Sequence, residues 1–143
     1  MNIGLIGPAA ALGLAAIGSA LGTGAAGQAS MGAWKKCFAA NKPAPFMLAV
    51  FSGAPITQTL YGFLLMLFIR GSQKEPLTLL SAGVFGGLAI GFSAMMQGRA
   101  AAGAADALAD TGKGTANYIS VIGIIETVAI FVMIFLLLVL VEF

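Results

Sequence analysis

One carboxylate, Glu126, lies in the middle of a long apolar stretch near the end of the chain. The sequence around it is apolar apart from Thr127 and supplies no opposite charge. A charged side chain at the centre of a membrane helix costs ~2.5–3.5 kcal/mol on insertion scales, and such residues by default mark ion pathways. The alternative is a permanently protonated acid, hydrogen-bonded inside a helix bundle. We interpret Glu126 as a group that binds and releases a cation in turn.

Polar side chains that carry oxygen recur in two other apolar stretches. The earlier stretch contains Thr57, Gln58, Thr59 and Tyr61, and the later one contains Gln97. Spacings of three and four residues place Gln58 and Tyr61, and Thr57 and Tyr61, on shared helix faces. Amide, hydroxyl and carboxylate oxygens suit a hard cation and do not suit zinc or copper. Each residue alone is compatible with an ordinary hydrogen bond between helices, but together they predict a cation site around the carboxylate.

Two glycine-rich segments fit parts of nucleotide-binding motifs but lack the required context. Residues 22–27 spell GTGAAG inside an apolar stretch, and the next acidic residue is Glu75. A dinucleotide site needs a preceding strand and an acidic residue about 20 positions later. Residues 112–114, GKG, lack the earlier glycine and the Ser or Thr of a P-loop. We therefore predict a non-catalytic chain that binds no nucleotide, and its scattered basic residues argue against nucleic acid.

The composition is that of an integral membrane protein. The chain has 143 residues, 59% of them hydrophobic and 8% charged, and its mean hydropathy is +1.00. A membrane core of ~30 Å needs about 20 apolar residues in a helix. Four stretches are long enough, at about 3–33, 46–69, 77–108 and 118–141. We expect Lys35 and Lys36 in the first polar loop, and the excess length of the first and third helices on the side of that loop.

The two halves of the sequence repeat. Ser19 aligns with Ser93 and Thr23 with Gln97 at a constant offset, and ITQT at 56–59 aligns with IIET at 124–127. Internal repeats of this kind indicate a duplicated structural unit. We predict an all-α membrane fold of four transmembrane helices, with a first hairpin at 1–70 and a second hairpin at 71–143 that carries the glutamate.

Small residues mark the helices that are expected to pack most closely. Glycine recurs every fourth residue at Gly18 and Gly22, and again at Gly83, Gly87 and Gly91. Such stripes let helix backbones approach each other in lipid. The fourth stretch is bulky and apolar instead. The pattern predicts two thin inner helices and two outer helices facing lipid, as a tight ring of copies requires, with a lone four-helix bundle as the alternative.

Basic residues favour one side of the membrane. Under the positive-inside rule, the side with more Lys and Arg faces the cytoplasm. We predict a multi-pass protein of the plasma membrane with both termini on the non-cytoplasmic side. Two basic residues, Arg70 and Lys74, lie on the side opposite the first polar loop. Five lie on or near the side of that loop, namely Lys35, Lys36, Lys42, Arg99 and Lys113.

Three segments resemble the proteolipid (K or c) component of bacterial V-type (V/A-type) ATPases, of the sodium-translocating type. They are PITQTLYG at 55–62, FSAMMQG at 92–98 and ETVA at 126–129, and the resemblance extends over nearly the whole chain. It implies a hydrogen bond from Tyr61 to Glu126. It also implies that Na⁺ is held by four side chains, those of Thr57, Gln58, Gln97 and Glu126.

This resemblance implies a membrane rotor subunit that carries Na⁺ while ATP is hydrolysed in other subunits. The implied partners are further copies of the chain in a ring, a stator membrane subunit with an arginine, a central-stalk subunit and lipid. No cofactor is expected besides the transported ion. The alternatives are an H⁺-translocating rotor subunit and, in a different class, a stand-alone small ion transporter or channel.

Overall fold

The structure is a computed structural model that describes residues 2–141. Four of its helices are long and apolar enough to cross a membrane, and no strand occurs within the described residues. The prediction of an all-α fold with four such helices is confirmed. A short 3-10 turn, Ile3–Leu5, leads into the first of the elements, which are α1 (Ile6–Ala39), α2 (Met47–Gly53), α3 (Thr57–Gly71), α4 (Pro76–Thr111) and α5 (Thr115–Leu140).

Helix α1 is longer than predicted and includes the first two lysines of the expected loop. Lys36 forms an ion pair with Asp110 of α4 and lies 3.9 Å from Asp106, while Cys37 packs into a buried cluster. Because these contacts hold the last turns of α1 against α4, the helix continues to Ala39. The placement of Lys35 and Lys36 in a loop was therefore wrong.

The second membrane-crossing helix, Met47–Gly71, changes its hydrogen-bond pattern near its middle. Helix α2 ends at Gly53, a 3-10 turn covers Ala54–Ile56, and α3 begins at Thr57. Pro55 lies inside this turn, and proline has no backbone N–H to continue an α-helix. The interruption falls directly before the polar residues of the predicted cation site.

Helices α1 and α4 run parallel and meet backbone to backbone. Gly18 lies so close to Gly91 that a Cβ on either residue would overlap backbone of the other helix, and Gly22 meets Gly98 in the same way. Closely approaching small residues stabilise helix pairs in lipid through dispersion contacts. By contrast, a Cβ on Gly13 of α1 would meet nothing within 4 Å. The glycine stripes therefore do place the first and third long helices in close contact.

Helix α5 lies at the periphery of the described chain. It packs on α3 and α4, and its buried residues are Ile122, Ala129 and Leu140. The turn that precedes it uses Gly112, whose φ of 64° favours glycine. Its many exposed large apolar side chains fit a lipid-facing helix. The division into hairpins at 1–70 and 71–143 stays a prediction, and the extreme ends, residues 1 and 142–143, lie outside the described residues.

Candidate ion-binding site

The carboxylate of Glu126 points from α5 towards α3 and α4, where three side chains donate hydrogen bonds to it. Thr57 Oγ1 lies 2.5 Å and Tyr61 Oη 2.9 Å from Glu126 Oε1. Gln97 Nε2 donates to Glu126 Oε2 at 3.2 Å. Both carboxylate oxygens therefore have partners inside the protein. The structure brings four of the five predicted site residues into direct contact.

The fifth predicted residue, Gln58, reaches the carboxylate only through another amide. Its Nε2 donates to Gln97 Oε1 at 2.9 Å, and both glutamine side chains are completely buried. Gln97 Nε2 lies 3.2 Å from the carbonyl oxygen of Ile122 as well as from the carboxylate. The buried amide pair thus connects α3, α4 and α5 at the level of the carboxylate.

One polar atom in this amide pair has no partner. Gln58 Oε1 is buried and accepts no hydrogen bond within residues 2–141. Leaving a buried acceptor unpaired costs free energy, because the water it bonded in the unfolded chain is not replaced. An unpaired amide oxygen beside a carboxylate is a suitable ligand for a hard cation. This atom is therefore available to ligate a cation at the polar cluster.

The 3-10 turn places a further oxygen beside the cluster. The carbonyl oxygen of Ala54 lies 3.0 Å from Thr57 Oγ1, which also faces Glu126. The oxygens around the carboxylate are otherwise neutral, so the cluster carries the charge of one carboxylate. A single negative charge matches one monovalent cation or one proton. Within the described chain, no group of three His, Cys, Asp or Glu side chains could hold a transition metal.

Two residues near the site differ from the sequence-based expectation in their hydrogen bonding. Ser93 donates a hydrogen bond to the carbonyl oxygen of Ile125 at 2.9 Å and so fixes α5 to α4 beside Glu126. The repeat aligned Ser93 with Ser19, which was the available signal, but alignment alone assigned it no role. Thr59, placed in the same polar layer, makes no hydrogen bond to the carboxylate among residues 2–141.

Similarity to known proteins adds a separate observation. Residues 80–139 match the family model for the ATP synthase C subunit, and this segment contains both Gln97 and Glu126. The chain is also 38% identical over 111 residues to the A-type ATP synthase subunit K of Methanocaldococcus jannaschii. The second half of the chain, which carries the carboxylate, is thus similar to the ATP synthase C subunit. The alignment with the archaeal protein covers 76% of this chain and 48% of that relative, so the chain spans about half the relative's length.

These similarities bear on two predictions. The prediction of a non-catalytic subunit agrees with the two matches, which are to a C subunit and a K subunit of ATP synthases. The prediction of a multi-pass membrane protein is confirmed by the four long apolar helices together with the match to the C-subunit family model. The side on which the termini lie, the plasma membrane and the resemblance to a bacterial sodium-translocating member stay predictions.

Proposed function

We propose that this chain is one protomer of a membrane rotor ring and carries one Na⁺ at Glu126 while ATP is hydrolysed by other subunits. The observation that carries the proposal is the polar cluster, in which a carboxylate with three neutral donors lies beside an unpaired amide oxygen, that of Gln58. The proposed ligands are oxygens of Glu126, Gln97, Gln58 and Thr57. Tyr61 donates a hydrogen bond to the carboxylate and holds it in place.

Na⁺ is favoured over H⁺ by the number of buried oxygens. A proton needs one basic oxygen, whereas a dehydrated Na⁺ needs several oxygens to replace its lost water. Burying amides costs free energy unless they are paired, and Gln58 and Gln97 are both completely buried here. A proton carrier gains nothing from two buried amides beside the carboxylate. The cluster is therefore better explained by a cation with several ligands.

The proposed transport cycle follows from charge. With Na⁺ bound, Glu126 is neutralised and the protomer moves through lipid without the cost of an exposed charge. The family resemblance implies a stator subunit whose arginine attracts the carboxylate and helps to release the ion. A central-stalk subunit would connect the ring to the ATP-hydrolysing subunits. Glu126 lies on the outermost helix, α5, and is only half-buried, so a stator beside the ring can reach it.

The test is the reaction of a hydrophobic carbodiimide with the carboxyl group. Carbodiimides attack protonated carboxyls, so Glu126 should be labelled and Na⁺ should slow the labelling by displacing the proton. Because the two ions compete for one carboxylate, protection should strengthen as the pH rises. Ionic strength is held constant by replacing Na⁺ with a large organic cation. Glu126→Gln is the control, and it should abolish labelling.

The outcome separates the proposal from its alternatives. If millimolar Na⁺ leaves the labelling rate of Glu126 unchanged near neutral pH, the sodium proposal is wrong and an H⁺ rotor replaces it. Size in mild detergent tests the ring. A large, SDS-resistant oligomer is expected, and a monomer or dimer would instead favour a stand-alone transporter or channel.

A further inference from the structure

Another buried polar atom without a partner among residues 2–141 lies on α1. Ser19 is 4% exposed, and its Oγ has no hydrogen-bond partner in the described part of the chain. Its counterpart in the second half of the repeat, Ser93, is paired with a backbone carbonyl of α5. Both halves of the repeat therefore contain the serine. Only the serine of the second half has a hydrogen-bond partner within the described residues.

The register between α1 and the second long helix places Ser19 beside Gln58. Gly22 faces Pro55, since a Cβ added at Gly22 would lie 3.0 Å from Pro55 Cβ. Ala15 faces Gly62 two turns further along. The two helices run antiparallel, so residue numbers on one rise as those on the other fall. Ser19 comes three residues before Gly22, and Gln58 comes three residues after Pro55. The two side chains thus lie at the same level.

Both side chains carry a buried polar atom without a partner, and the two atoms are complementary. Ser19 offers an O–H donor, and the free Oε1 of Gln58 is an acceptor. Each atom is buried too tightly for a water molecule to touch it. Each atom is thus a chemically matched partner for the other, at the same level, after a rotation of either side chain. Gln58 Nε2 meanwhile stays bonded to Gln97.

We propose that Ser19 is a positioning residue that holds Gln58 Oε1 whenever the cation site is empty. On cation binding, Oε1 leaves the hydroxyl and turns to the ion. The hydrogen bond stabilises the ion-free protomer and so lowers the affinity for the cation, which helps a carrier that must release its ion. This inference rests on the proposed function, since it requires a cation that binds beside Glu126.

The test is Ser19→Ala, measured by the Na⁺ concentration that halves carbodiimide labelling of Glu126. Losing one hydrogen bond from the empty state should tighten Na⁺ binding by about 2- to 10-fold. Loosened packing would weaken binding, so the direction distinguishes a positioning role from a structural one. If Ser19→Ala fails to assemble, Ser19→Cys keeps the size with a weak donor and should shift the affinity in the same direction.

Thr23→Val is the matched control. Thr23 lies one turn further along α1, and its Oγ1 is also buried without a partner among residues 2–141, but the register places it level with Ala54. Its replacement should leave the half-protective concentration unchanged. Unchanged or weakened binding in the Ser19 variant, or equal tightening in Thr23→Val, overturns the inference while the sodium proposal stands. No Na⁺ protection in the unaltered chain overturns both.

Discussion

Gly18→Ala is expected to destabilise the protein through a single methyl group. A Cβ at Gly18 would overlap the carbonyl group and Cα of Gly91. A clash with a flexible side chain is relieved by rotation, but backbone has no such freedom, so α1 and α4 must separate along their glycine contacts. Separation loses dispersion contacts on both helices, which in lipid are the main source of association.

The expected change in the free energy of unfolding combines two opposing effects. Alanine is favoured over glycine inside a helix by about 1 kcal/mol. Overpacking costs about 1–3 kcal/mol, and the backbone contact at Gly18 puts the cost at the upper end. Gly13→Ala is the control, because it replaces glycine by alanine on the same helix at a position where the added Cβ meets nothing within 4 Å. The difference between the two variants isolates the overlap and should be about 3 kcal/mol.

Thermal unfolding in detergent, followed by circular dichroism, measures this difference. A change of about 3 kcal/mol corresponds to roughly 10 °C in the unfolding midpoint for a chain of this size. Gly13→Ala should leave the midpoint unchanged or raise it slightly. Equal midpoints for Gly18→Ala and Gly13→Ala would refute the reasoning, because the close approach of α1 and α4 would then carry no energetic weight.

Three further predictions concern the site and the orientation. Gln97→Leu removes an oxygen ligand and leaves Gln58 Nε2 without its hydrogen-bond partner. The Na⁺ concentration that protects Glu126 from carbodiimide should therefore rise about 10- to 100-fold while labelling itself persists. Unchanged protection would exclude Gln97 as a ligand. Tyr61→Phe removes one donor to the carboxylate and should weaken Na⁺ protection by about 2- to 10-fold, and no shift would show that this bond is dispensable. Lys42→Cys should react with an impermeant thiol reagent from the cytoplasmic side only, and labelling of intact cells would reverse the predicted topology.

Sequence patterns were sufficient for the features that depend on local chemistry. Four apolar stretches predicted four helices, and the glycine spacing indicated which pair meets closely. Glu126 stood out because an isolated carboxylate is costly in lipid. Contacts between residues that are distant in sequence could not be predicted from such local patterns. The indirect position of Gln58 behind Gln97 is set by how α3 and α4 pack, and no local pattern distinguishes it from direct contact.

The ends of the helices show the same difference. Lys36 has the composition of a loop residue, but its ion pair with Asp110 lies across two helices and extends α1. Cys37 directly follows two lysines in the sequence, which suggests an accessible thiol, but it is 2% exposed because α1 continues and packs there. Topology experiments therefore need an introduced cysteine.

The backbone contact between α1 and α4 also has a mechanical consequence. Helix α5 bears Glu126 but is attached to the rest of the protomer mainly through α4 and α3, with Ser93 and Gln97 tying it to α4 beside the carboxylate. A sideways force on the carboxylate is therefore transmitted to α4 within one helical turn. At Gly18 and Gly91 no side chain separates the two backbones, so α1 and α4 have little room to shift against each other there. A force applied at the cation is therefore expected to move α1 and α4 together rather than α5 alone.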